Sequence, residues 1–150
     1  MATWLQGQEW QMFVTLTTPW ELTIASGMRS VERFFDRARK NVFNGAEARM
    51  FYVMERYELK DGYHLHGLLN YDITSVMGVP NLPQVLSHTW NVVSGAYGRQ
   101  MRLYDDYNGR IIKPRRHFRS SFTRYDAKRS AGKYCSKYLL KRHGEYGILV

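Results

Sequence analysis

A single cysteine, Cys135, stands among the 150 residues, which excludes an internal disulfide framework and a Cys-rich zinc site. Prolines number only four. They are scattered, and no Gly/Ser-rich stretch or repeat separates two halves, so the expectation is one domain spanning 1–150. No apolar run approaches the roughly 20 residues that a membrane span needs. The first ten residues, Met1 to Trp10, lack both a basic start and an apolar stretch, and so do not read as a signal peptide. An intracellular, reducing setting follows as the simplest expectation. Hydrophobic residues make up 44%, aromatics 15% and charged residues 23%, a composition that argues against extended disorder and supports a real core.

Acidic residues are outnumbered, 13 against 22 Lys plus Arg, for a net charge of +9. The excess is concentrated. Arg99 to Arg142 holds 14 basic and 3 acidic residues, net +11, while the remainder of the chain sums to −2. Such asymmetry points to a polyanion, most often nucleic acid. The alternative is a basic surface that serves solubility.

Periodicity organises the chain. Met12 to Thr17 alternates as a β-strand and stops at Pro19. Ser30 is placed as the N-cap of a helix whose apolar face is Val31, Phe34, Phe35, Ala38 and Val42, closed by Asn44-Gly45. Met50–Leu59 and Tyr63–Tyr71 read as strands joined across Asp61-Gly62, a two-residue hairpin signal. A second helix follows Pro80 and Pro83 and ends at Gly95 or Gly98. Met101–Tyr104 is expected to be a fourth strand, paired with part of 110–113 across Asn108-Gly109. Arg115 to Arg124 is ambiguous. A last helix runs from Asp126 or Ser130 to Arg142, and a short strand ends the chain. The order β-α-β-β-α-β-α predicts an α+β fold: an antiparallel sheet with helices packed on it, ferredoxin-like or RRM-like.

On the third strand, His64-Leu65-His66 places two imidazoles on one side, about 6–7 Å apart at their roots. Alone, this pattern also fits two hydrogen-bonded surface histidines. A two-residue turn pairs Lys60 with Tyr63, Leu59 with His64, Tyr57 with His66 and Glu55 with Leu68. Glu55 then shares the histidine face, diagonal to His66, with Arg56 and Glu58 pointing away. A three-residue loop would flip the parity and bring in Glu58 instead; the turn signal favours Glu55. Two histidines and a carboxylate with open positions suit Mg²⁺ or Mn²⁺ bridging to a phosphate.

In the final helix, Tyr134, Lys137, Tyr138 and Lys141 fall within an arc of about 100°. Ala131, Cys135 and Leu139 form a neighbouring apolar stripe. A bland amphipathic helix with rim tyrosines and snorkelling lysines shows the same pattern. The chemical reading is that a tyrosine hydroxyl attacks a phosphodiester. Its ordinary pKa near 10 makes it weak at pH 7, and lysines and a metal favour the phenolate.

Three blocks in order resemble the HUH endonucleases, and more closely the rolling-circle replication initiators (Rep) of small plasmids, phages and single-stranded DNA viruses. They are Phe13-Val14-Thr15-Leu16-Thr17-Thr18, Tyr63-His64-Leu65-His66-Gly67-Leu68-Leu69, and Tyr134-Cys135-Ser136-Lys137-Tyr138. The resemblance implies that His64, His66 and Glu55 ligate a divalent cation, Mn²⁺ or Mg²⁺. Tyr134 would be the nucleophile and Lys137 its aid. Tyr138, one turn on, would be a second nucleophile in a two-tyrosine mechanism, although Tyr134 alone is favoured. The implied activity is metal-dependent, site-specific nicking and joining of single-stranded DNA or an origin hairpin through a 5′-phosphotyrosine. A host helicase and polymerase would be partners, in the host cytoplasm or, in a eukaryote, the nucleus.

No Gly-Lys-Ser/Thr loop of a helicase is present. The chain therefore reads either as a small Rep that borrows a helicase or as a nuclease domain of something larger. Arg115, Arg116, Arg119 and Lys141 are candidate DNA contacts. His88 and His117 are read as structural. Two rivals stand beside this reading: a transposase with the same chemistry, and a non-catalytic RRM-like nucleic-acid-binding module. Such a module should show aromatics where this strand carries histidines.

Overall fold

A computed structural model describes residues 2–95, 122–126, 128 and 145–150. The elements are α1 (Ala2–Gln6), β1 (Met12–Leu16), α2 (Ile24–Asn41), β2 (Ala48–Arg56), β3 (Tyr63–Tyr71), a 3-10 turn (Ile73–Val76), α3 (Leu82–Ser94), β4 (Phe122–Arg124) and β5 (Tyr146–Leu149). The five strands form one antiparallel sheet in the order β4-β1-β3-β2-β5. The first four stand as the expected ferredoxin-like layout requires, and β5 extends the edge beside β2. The strand beside β1 comes from Phe122–Arg124, within the stretch whose sequence is ambiguous. The expected strand at Met101–Tyr104, its partner across Asn108-Gly109 and the last helix lie outside the described residues.

Period-2 alternation divides the sheet into two faces. Met12, Val14 and Leu16 of β1, Met50, Tyr52 and Met54 of β2, and Leu65 and Leu69 of β3 join the main core. Val31, Phe34, Phe35 and Ala38 of α2 and Leu86 and Trp90 of α3 cover them. Trp90 Nε1 donates to the Thr17 carbonyl at 2.8 Å and fastens α3 to the end of β1. Phe51, Val53 and Leu68 point the other way and meet Leu5 and Trp10 in a second cluster. Trp10 Nε1 donates to the Leu5 carbonyl at 2.7 Å, so α1 seals this part of the face. Beyond it, on the same face, stand Glu55, His64 and His66.

The start of α2 differs from expectation. Its N-cap is Thr23, not Ser30, and Thr23 with Ser26 forms a reciprocal capping box. Ser26 and Gly27 look like helix breakers in the sequence. In the fold, Ser26 supplies the box that Glu or Gln usually supplies. Gly27 faces inward, where a Cβ would collide with Met54. No helix among the described residues is long and apolar enough to cross a membrane.

Candidate metal centre

The β2–β3 ladder builds the site. Glu55 lies directly opposite His64, Val53 opposite His66, and Arg56 opposite Tyr63. This corrects the expected hairpin. The connection spans six residues, Tyr57 to Gly62, rather than two, so the expected pairs Leu59–His64, Tyr57–His66 and Glu55–Leu68 do not form. Leu59 is instead 99% exposed. The cause is tertiary. The Tyr63 amide donates to the Leu22 carbonyl at 3.1 Å, and Glu21 lies against Gly62, which takes φ +96. The segment before α2 therefore holds the start of β3, and the ladder ends early. The register moves by four residues, an even number, so Glu55 keeps the face of the histidines and stays diagonal to His66. Glu58 is exposed on the loop and does not join the cluster.

One carboxylate oxygen gathers both rings. His64 Nε2 is 2.8 Å and His66 Nε2 is 3.0 Å from Glu55 Oε2. The two imidazoles meet edge to face, 4.6 Å between centroids. His66 is buried, and Glu55 and His64 are partly buried. Burial, reinforced by the neighbouring His64, pushes the His66 pKa down to about 4 against the pull of Glu55. Burial also lowers that of His64; Lys60 adds to this, and Glu55 opposes it. Both rings are therefore neutral at pH 7, and their contacts with Glu55 are hydrogen bonds rather than ion pairs.

Neutral imidazoles are also what a metal requires. Ligand atoms of Glu55, His64 and His66 all lie within 4.8 Å of one another. The 2.8 and 3.0 Å nitrogen–oxygen separations match the roughly 3.0 Å between adjacent donors of an octahedron with bonds of about 2.1 Å. His64 Nδ1 is buried without a hydrogen-bond partner, so no alternative bond holds that ring away from the cluster. The cluster can hold a divalent ion, and its mixed nitrogen and oxygen donors leave several metals eligible.

Sequence reasoning missed the residues around the cluster. Thr15, opposite His66 across the β1–β3 ladder, places Oγ1 3.2 Å from His66 Nδ1. Phe13 stacks on the same ring at 5.8 Å and 15°. Tyr57 lies 4.5 Å from the His64 ring, with Lys60 Nζ 4.0 Å above the Tyr57 ring. The alternation Phe13-x-Thr15 marks these two as sharing one face, but only the long-range register shows which histidine they meet. Tyr134, Lys137, Tyr138, Lys141, Arg115, Arg116 and Arg119 lie outside the described residues.

No curated protein and no solved structure matches the chain significantly. A family model for replication-associated proteins of the ORF2 group matches residues 11–143. That span takes in β1, both strands of the hairpin and all three residues of the cluster, and it covers most of the chain. The chain belongs to this family of replication-associated proteins.

Proposed function

We propose that the chain is an HUH-type, metal-dependent and site-specific endonuclease and strand transferase that initiates rolling-circle replication on single-stranded DNA. The observation that carries this reading is the convergence of Glu55, His64 and His66 donor atoms in a member of a replication-associated family. In it, Glu55 Oε2, His64 Nε2 and His66 Nε2 hold Mg²⁺ or Mn²⁺. The ion, when bound, polarises the scissile phosphate and offsets negative charge as the reaction proceeds.

The chain's own residues do the rest. The Tyr134 hydroxyl gives up its proton and its oxygen attacks phosphorus, while Lys137 stabilises the phenolate or the phosphate. The P–O3′ bond breaks, the O3′ takes a proton, and the phosphate stays on Tyr134 as a 5′-phosphotyrosine. The free 3′-hydroxyl primes a host polymerase, with unwinding by a host helicase. Attack of a 3′-hydroxyl on the phosphotyrosine reverses the step and reseals the strand. Tyr138 is one helical turn on and would serve a second round in a two-tyrosine scheme. Arg115, Arg116, Arg119 and Lys141 contact backbone phosphates. All of this belongs to one nuclease domain.

The test is an adduct assay with Mn²⁺ and single-stranded DNA carrying the replicon's origin. A covalent protein–DNA band is expected from the wild type, and none from Tyr134→Phe or in EDTA. Full adduct from Tyr134→Phe, with loss in Tyr138→Phe, would move the nucleophile to Tyr138. Undiminished cleavage in EDTA would remove the metal mechanism.

A further inference from the structure

We propose that Thr15 is a positioning residue for His66, whose hydroxyl lets the ring keep a bond at Nδ1 in either tautomer. The proposal rests on the metal reading above, but part of its test does not. The β1–β3 register sets Thr15 directly opposite His66, with Oγ1 3.2 Å from Nδ1. Phe13, from the same face of β1, stacks on the ring within 15° of parallel. On the ring's other edge, Nε2 lies 3.0 Å from Glu55 Oε2 of β2. Each nitrogen of His66 thus has a partner on a different neighbouring strand.

A neutral imidazole carries one N–H, and a hydroxyl can donate or accept. Without a cation, Nε2–H donates to Glu55 Oε2, and Nδ1 accepts from the Thr15 hydroxyl. With a cation, the Nε2 lone pair is required. The proton then resides on Nδ1 and is donated to Thr15 Oγ1. One proton moves from Nε2 to Nδ1, and the ring's net protonation is unchanged. A carbonyl or carboxylate at this place would favour one tautomer only, and an apolar group would leave Nδ1 stranded. His64 has no such partner: its Nδ1 is buried and unbonded. The arrangement is therefore specific to His66 and gives the strand Phe13-Val14-Thr15 a task at the centre.

The test compares wild type, Thr15→Val and Thr15→Ser. Valine keeps the β-branched shape without the hydroxyl, and serine keeps the hydroxyl. Two-bond ¹H–¹⁵N spectra of the imidazoles report the tautomer directly. The metal-free wild type is expected to show His66 as Nε2–H, and Zn²⁺, as a diamagnetic probe, should convert it to Nδ1–H. In Thr15→Val the metal-free His66 nitrogens should shift, and the Mn²⁺ dissociation constant, read by electron paramagnetic resonance, should rise about 10- to 100-fold. Thr15→Ser should recover wild-type spectra and bind Mn²⁺ about as tightly as wild type. His66 spectra unchanged by valine, or serine no better than valine, overturn the proposal. If the wild type binds neither Mn²⁺ nor Zn²⁺, the metal reading falls, while the metal-free spectra still decide the role of Thr15. Should Thr15→Val not fold, Thr15→Ala carries the same comparison.

Discussion

At the scale of single residues, His66 joins two demands that usually conflict. It must be buried to be held rigidly, and it must keep a nitrogen lone pair available. Burial meets both, because it lowers the His66 pKa to about 4. The sign of the resulting pH dependence follows by linkage. The folded pKa lies below the unfolded value near 6.5, so between them the unfolded chain binds more protons. The contribution of His66 to stability is therefore intact above about pH 6.5 and is lost as pH falls toward 4, by about 3 kcal/mol at most. Denaturant titrations of the metal-free protein at about pH 7.5 and about pH 4.5 should show this loss, and His66→Gln should reduce it. On the proposed mechanism, His64→Ala and His66→Ala should each slow cleavage by on the order of 10³-fold. Affinity for single-stranded DNA should change little, because phosphate contacts elsewhere dominate it. A gel-based nicking assay beside a filter-binding assay separates the two effects.

At the scale of elements, two positions control how the strands and helices meet. A Cβ at Gly67 would lie 2.9 Å from the Phe51 carbonyl oxygen and 2.8 Å from Met50 Cε. The backbone oxygen cannot turn aside as a side chain can, so Gly67→Ala should force β2 and β3 apart next to His66. A loss of about 1–3 kcal/mol is expected in thermal or denaturant unfolding, with weaker metal binding. Thr23→Ala removes one half of the α2 capping box and should cost about 1 kcal/mol by the same measurement. These elements also show what the sequence discloses. The strands around His64 and Glu55 are legible because alternation is a local property, and parity alone carries Glu55 to the correct face. The register is not legible, because Asp61-Gly62 signals a tight turn while Leu22 and Glu21 fix a longer loop from outside the hairpin. The start of α2 is hidden for a related reason: Gly27 looks flexible until the sheet packs against it. Thr15 stays unassigned because its partner stands 51 residues away.

At the scale of the whole molecule, charge and chemistry occupy different parts of the chain. The residues of the metal cluster fall within 55–66, whereas 14 of the 22 Lys and Arg lie between 99 and 142. Replacing Arg115, Arg116 and Arg119 together by alanine should weaken single-strand binding at low salt. It should also reduce the log–log salt slope by roughly 2, at about 0.7 per lost phosphate contact. Cleavage at saturating DNA should fall far less than in the histidine variants. Fluorescence anisotropy across a salt series checks the first effect and single-turnover nicking the second. The antiparallel hairpin has one more consequence. Since Glu55 and His64 face each other across a six-residue connection, all three ligand side chains reside within one short run of the chain. Closing so short a span costs little chain entropy. The pocket for the ion is thus complete as soon as this hairpin zips, ahead of any long-range docking, and an ion present during synthesis can reward that early pairing.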